Sequence, residues 1–305
     1  MRRLSLAVVL AALLLPCAAH AQAEDPGPVE LSGTLLKARN AGAVVIAYRE
    51  SSVPFSYLSP RGAPIGYSIE LCRKLVEAMG EAVGKTLEIQ WVPVTSESRI
   101  EAVASGRADL ECGSTTSNLE RQKLVAFSPT MFVSGTKLLV RRGSPIRSYR
   151  DLGGRTVVVT AGTTNEKAMQ EITRRFGIEF KLQVARDHAE SYAQLEAGKA
   201  DAFATDDVLL YGLIAQHKAK GKYAVVGEFL SYDPYGVMFR KGDAQFAALV
   251  LRTFHDLAED GEIERQYKRW FLQRLPGSAT PGESLDLPMS PQLETLIRTM
   301  ATRPE

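Results

Sequence analysis

The feature that most constrains this chain is a strand-helix-strand-helix-strand series that occurs twice. The first runs through a strand at Ala43–Tyr48, a helix from about Ser68 to Met79, a strand at Leu87–Pro93, a helix from about Ser96 to Ser105 and a short strand at Ala108–Cys112. Ile69, Leu71, Leu75, Val76 and Met79 fall mostly on one side of the first helix, and Pro54, Pro60 and Pro64 mark the stretch from Glu50 to Gly66 as a loop. The second series is a strand at Arg155–Thr160, a helix at Asn165–Phe176, a strand at Phe180–Ala185, a helix at His188–Ala197 and a strand at Ala200–Thr205. Alternation of this kind predicts parallel strands covered by helices on both faces, and its recurrence predicts two lobes. Gly135–Arg142 and Tyr235–Arg240 flank the second series and read as strands that cross between the lobes, after which the helical stretch Ala244–Trp270 returns to the first. The predicted division is lobe 1 over 22–136, lobe 2 over 137–236, a return segment of lobe 1 over 237–275 and a C-terminal tail over 276–305. That tail is first Pro-rich and then forms a short amphipathic helix around Gln292–Ala301.

The first residues are set apart from this fold. Met1-Arg2-Arg3, an apolar stretch from Leu4 to Leu15 and the small-residue site Ala19-His20-Ala21 form the three parts of an export signal, so residues 1–21 are expected to be cleaved. A membrane anchor would need a run of about 20 apolar residues. A lipoprotein reading based on Cys17 meets Pro16 where a small residue is expected. The mature chain is therefore predicted to be a periplasmic protein without a membrane span. Its formal charge, +2 for the whole chain, falls to about zero once Arg2 and Arg3 are lost, which argues against nucleic acid or an anionic membrane as partner. Two cysteines remain, Cys72 and Cys112, either bridged in an oxidising compartment or buried as free thiols. Neither has metal-ligand spacing, so no metal and no cofactor is expected.

Each series has a hydroxyl-rich turn at a strand end: Glu111-Cys112-Gly113-Ser114-Thr115-Thr116-Ser117-Asn118 before Leu119-Glu120-Arg121, and Thr160-Ala161-Gly162-Thr163-Thr164-Asn165. Backbone N–H groups, hydroxyls and a helix dipole at such turns favour an anion, although Ser and Thr also serve there as ordinary N-caps. Arg49, Arg99 and Arg121 lie near strand ends of the first series and could clamp carboxylates through their guanidinium forks. Asp206 and Asp207 end a strand of the second, one suited to an ammonium group and the other to an N-cap. His188, just after a strand, could donate to an anion. The motifs H-E-x-x-H, G-x-S-x-G and G-x-G-x-x-G are absent, and Gly80–Thr86 imitates a phosphate loop but is one residue short and follows a helix.

Taken together, Val53–Tyr57, Gly66–Glu70, Pro93–Ile100, Glu111–Lys123, Val157–Thr164, Asp187-His188 and Tyr235-Gly236 closely resemble the periplasmic glutamate/aspartate-binding proteins of polar amino-acid ABC importers, solute-binding protein family 3. The likeness runs from about Leu31 to Leu275. It implies the type II periplasmic-binding-protein fold, an α/β architecture of two lobes, each a mixed sheet flanked by helices, joined by two crossing strands and closing on a ligand. It also implies roles: Arg121, Thr116 and Thr164 for an α-carboxylate, Ser114 and Asp206 for an α-ammonium, and Arg49, Ser96, Arg99 and His188 for a side-chain carboxylate. The implied partner is an inner-membrane ABC permease, with the protein itself a monomer and not an enzyme. Some relatives have a cysteine after Tyr-Gly that pairs with the one in the Glu-Cys-Gly run. Here that position is Val237, which leaves Cys72 as the candidate partner of Cys112. The competing readings are a dehydratase-like periplasmic enzyme on the same fold and a ligand-sensing ectodomain.

Overall fold

The computed structural model describes residues 30–276 and 283–302. The expected signal segment, residues 1–21, lies outside them. None of the described helices is long and apolar enough to cross a membrane.

The chain enters through α1 (Gly33–Ala41) into β1 (Ala43–Tyr48). A loop follows that folds on itself as the small sheet β2 (Ser51–Ser52), β3 (Ser56–Leu58) and β4 (Pro64–Ile65). Next come α2 (Tyr67–Val83), β5 (Glu88–Pro93), α3 (Arg99–Ala104), β6 (Leu110–Glu111) and β7 (Val125–Phe127). The second half runs β8 (Phe132–Ser134), β9 (Thr136–Arg141), β10 (Thr156–Thr160), α4 (Thr164–Phe176), β11 (Lys181–Ala185), α5 (His188–Glu196), β12 (Ala202–Asp206), α6 (Asp207–Gln216) and β13 (Tyr223–Val226). It returns through β14 (Asp233–Tyr235) and β15 (Met238–Arg240) to α7 (Ala244–Glu259) and α8 (Glu262–Tyr267), and ends in α9 (Pro291–Ala301).

The two main sheets have the orders β5-β1-β6-β15-β7 and β11-β10-β12-β9-β13. In each, three parallel strands come from the repeated series, because helical crossovers return the chain in the same direction. The fourth position is antiparallel: β15 pairs β6 and β7, and β9 pairs β12 and β13. The expectation of parallel strands therefore holds only for the series, and the sheets are mixed. The crossing element also differs from the expectation. The strands that cross are β8 and β14, paired antiparallel from Phe132–Tyr235 to Ser134–Asp233. The stretches expected to cross instead supply β9 and β15, which complete the two sheets. The expected helical return stretch, Ala244–Trp270, is made of α7 and α8, which meet at Asp260-Gly261.

Both sheets are packed on both faces, as runs such as Val157-Val158-Val159 require: Val44, Ile46 and Leu110 face one core of lobe 1 and Ala47, Val125 and Met238 the other, while lobe 2 has two cores of its own. Phe132 and Tyr235, from the two crossing strands, stack edge-on against Phe55 at 5.0 and 5.1 Å, and Phe132 also meets Phe271 at 5.0 Å. The crossing is thereby rooted in the lobe 1 core through aromatic contacts that each favour one geometry. Cys72 on α2 and Cys112 at the end of β6 form a disulfide, their Cα atoms 6.4 Å apart, which fastens α2 to the central strand beneath the cleft. In the C-terminal tail, α9 packs on α7 with Leu293 and Ile297 buried in the lobe 1 core.

Candidate functional site

The nine residues singled out in the sequence all stand at carboxyl ends of parallel strands. Arg49 follows β1, Ser96 and Arg99 follow β5, and Ser114, Thr116 and Arg121 follow β6. Across the cleft Thr164 follows β10, His188 follows β11, and Asp206 ends β12. This edge is where open α/β sheets present ligand-binding groups, since strand ends and crossover turns leave polar backbone there.

Three guanidinium groups define one end. Arg49 and Arg99 are 1% and 3% exposed, so neither is a solvated surface charge. Ser56 holds the Arg49 backbone by accepting from its N–H at 2.8 Å and donating to its carbonyl at 3.1 Å. Burial, then the neighbouring Arg99, pushes Arg49 down to about 9. Burial also lowers Arg99, and burial with Arg99 pushes Arg121 down to about 10. Mutual repulsion of this kind is relieved by a bound anion. Arg99 Nη1 donates to the Ser114 carbonyl at 3.3 Å, while Arg49 Nη1, Arg99 Nε, Ser96 Oγ and Ser114 Oγ are buried with no hydrogen-bond partner among the described residues. His188 shares a 2.9 Å hydrogen bond between Nδ1 and Thr160 Oγ1, and burial, followed by the charges of Arg49 and Arg99, holds it well below its usual range and therefore neutral.

The other end is acidic. Asp206 accepts from Asn165 Nδ2 at 2.7 Å and from the Tyr235 hydroxyl, and burial followed by the nearby Asp233 raises it well above the usual carboxylate range. Asp233, on crossing strand β14, accepts from Thr116 Oγ1 at 3.0 Å and from Ser231 Oγ. A carboxylate pair of this kind is eased by a cation placed against it.

The lobes touch across the cleft. Arg121 Nη1 donates to the Thr116 carbonyl of its own lobe at 2.9 Å, and Nη2 reaches the Gly162 carbonyl of the other at 3.3 Å. The hydroxyls of Thr116 and Thr164 are 3.4 Å apart, and Lys167 pairs with Glu120 at the mouth. Gly162 (φ +70°) lies against Glu97 so closely that a Cβ would fall 2.7 Å from the Glu97 Cα. Glycine is required there by both backbone and space.

The two turns differ from their reading as paired helix N-termini. Thr163 caps α4 by accepting from the Glu166 N–H at 3.1 Å, as an N-cap should. The first turn leads only into a single 3₁₀ turn at Arg121–Lys123, too short for a helix dipole, so its contribution is hydroxyl and guanidinium groups. Asp206 stands at the N-cap position of α6 without a side-chain capping bond, and Asp207, the first residue of that helix, accepts from the Val208 N–H at 2.8 Å and from Ser134 Oγ at 2.7 Å. Sequence reasoning gave no role to Glu111, Asn165, Asp233 or Tyr235. Glu111 lay in a turn read for its hydroxyls, and the burial of Asp233 depends on the pairing of β8 with β14, which no local pattern shows.

Residues 44–273 match the family of bacterial extracellular solute-binding proteins, family 3. The chain is 41% identical to the L-glutamate/L-aspartate-binding protein of Pseudomonas aeruginosa, over 96% of this chain and 94% of that one. It is 40% identical to the glutamate/aspartate import solute-binding protein of Escherichia coli, over 84% of this chain and 85% of that one. Its fold is similar to that of a mutant of ArgBP from T. maritima, with a TM-score of 0.70 and 23% identity over 79% of this chain and all (100%) of the other, a likeness that bears on the fold alone. Two lobes of this topology joined by two crossing strands are the type II fold of periplasmic binding proteins, and the chain belongs to the bacterial extracellular solute-binding proteins, family 3.

Proposed function

We propose that this protein binds glutamate or aspartate in the periplasm by closing its lobes around the ligand, and delivers it to an inner-membrane ABC permease. The carrying observation is the division of the cleft into a cationic end with unpartnered donors on Arg49, Ser96, Arg99 and Ser114 and an acidic end at Asp206. An acidic amino acid carries two carboxylates and one ammonium, the complement of that division. In this reading Arg121, Thr116 and Thr164 hold the α-carboxylate, Ser114 and Asp206 the ammonium, and Arg49, Ser96, Arg99 and neutral His188 the side-chain carboxylate. The names of the relatives support the ligand class. The export signal at residues 1–21 supports the location, and we take lobe 1 as 22–136 with a return segment at 237–275, lobe 2 as 137–236 and the tail as 276–305. We take the protein to act as a monomer.

The arrangement suits recognition rather than catalysis. An enzyme would need a proton-transfer group free to work on a leaving group. Here His188 is tied to Thr160, and Asp206 is tied to Asn165 and Tyr235. Calorimetry with glutamate, aspartate, glutamine and asparagine tests the proposal, with both acids expected to bind far more tightly than both amides. Equal binding of glutamate and glutamine would overturn it, and product formed on incubation with any of the four would turn the reading toward an enzyme.

A further inference from the structure

Glu111 is a buried acid beneath a site that the reading above assigns to an acidic ligand. It ends β6 in the middle of the lobe 1 sheet, opposite Ala47 of β1 and Met238 of β15, and is 0% exposed. Its Oε2 accepts from Thr115 Oγ1 at 2.6 Å, and its Oε1 has no hydrogen-bond partner among the described residues. A Cβ on Gly113 would fall 2.3 Å from Glu111 Oε1 and 2.9 Å from Arg49 Cγ, so carboxylate and arginine stem converge on the space that this glycine leaves open. A buried carboxylate with one bare oxygen is costly unless cations stand close enough to offset it. The charges of Arg49, Arg99 and Arg121 are all within its electrostatic reach.

We propose that Glu111 is the counter-charge of the arginine cluster and sets the protein's selectivity between acidic and amide side chains, without touching the ligand. It balances the cluster when no ligand is bound, and it reduces the pull of Arg49 and Arg99 on a second carboxylate. An amide side chain has no net charge and feels little of this. Glu111 is thus a tuning residue whose removal makes the protein more selective.

This inference rests on the proposed ligand class, and the experiment separates the two. Glutamate and glutamine affinities are measured by calorimetry on wild type, Glu111→Gln, Glu111→Met and Glu111→Asp. The wild-type ratio reads the ligand class, and the change of ratio in the variants reads Glu111. Two unit charges about 7 Å apart at an effective dielectric of about 20 interact strongly enough to change affinity by tens of fold. The neutral variants are therefore expected to raise the glutamate-to-glutamine ratio by about tenfold or more, and Glu111→Asp to keep it within about threefold of wild type. Damage to packing alone weakens both ligands together and leaves the ratio in place, so an unchanged or lower ratio in the neutral variants overturns the proposal. So does failure of both neutral variants to fold while Glu111→Asp folds, since the charge would then serve the fold and not the selectivity.

Discussion

The two lobes repeat one strand order but divide the chemistry unequally. Lobe 1 supplies all three arginines of the cleft, with Glu111 beneath them, whereas lobe 2 supplies a neutral histidine, a threonine and Asp206. Lobe 1 also has the disulfide Cys72–Cys112 and the added cover of α9. The strongly charged half of the site is thus built on the more heavily fastened lobe. Fixed guanidinium groups recognise carboxylates without first being ordered, which lowers the cost of binding. On the proposed closure lobe 2 needs only to move, and its contacts with lobe 1 at Gly162 and Thr164 lie on the faces that would meet. Fixing in one lobe what reads charge and leaving the other to move is a consistent division for a two-lobe receptor.

The largest expected effect tests whether the lobe 1 arginines have separate roles. Arg99→Ala should weaken glutamate and aspartate by about thirty-fold to several-thousand-fold, the range for removing one partner of a buried charge pair, and should narrow their advantage over the amides. Arg121→Ala should weaken all four ligands by similar factors, because all share the α-carboxylate. Calorimetry giving both variants one selectivity profile would remove the distinction.

Next in size is the fastening of lobe 1. Replacing Cys72 and Cys112 by Ala and Ser should cost about 2–4 kcal/mol in urea unfolding, since the bridge closes a loop with a sequence separation of 40. Ligand selectivity should survive, because neither sulfur belongs to the proposed site. Two free thiols titrated in unfolded, unreduced wild type would contradict the bridge itself.

The moving lobe is tested at Gly162. A Cβ there meets Glu97, so Gly162→Ala should hold the lobes apart and weaken glutamate by about tenfold, with roughly 1 kcal/mol lost from the φ strain alone. Small-angle scattering should show wild type becoming more compact with saturating glutamate and the variant changing less. Equal compaction of the two would assign Gly162 to local structure only.

The smallest effect is a pH slope from lobe 2. His188 faces Arg49, Arg99 and Thr160 and is held neutral in the fold, whereas in the unfolded chain it takes up a proton below about 6.5. The unfolded state then binds more protons, so this contribution to stability is lost as pH falls below about 6.5, with a slope of up to about 1.4 kcal/mol per pH unit. Asp206, raised in the fold, acts in the opposite sense: its contribution is full below the unfolded value and is lost as pH rises through the raised one. Urea unfolding of wild type and His188→Gln between pH 7 and 5 isolates the histidine. Equal pH dependence of the two proteins would mean that His188 is not held neutral.

How much could be read in advance depended on the range of the interactions. Strands such as Val157-Val158-Val159 and helices such as Tyr67–Val83 were legible because apolar period and length are local, and most of the nine candidate residues could be singled out because strand ends and hydroxyl turns are local too, whereas Ser96 came from the family resemblance alone. The sequence by itself determined the two α/β series, the number of cationic groups at the carboxyl strand ends and the presence of one isolated cysteine pair. Tertiary structure decided which strands cross, because β8 and β14 are three residues each and their pairing joins positions about a hundred residues apart. It also decided that Cys72 reaches Cys112, and that Glu111 beneath the arginines and Asp233 beside Asp206 are buried instead of solvated. The physical reason is that charge state and burial belong to the assembled cleft, where desolvation and neighbouring charges act through space, while a sequence pattern records only what each segment contributes.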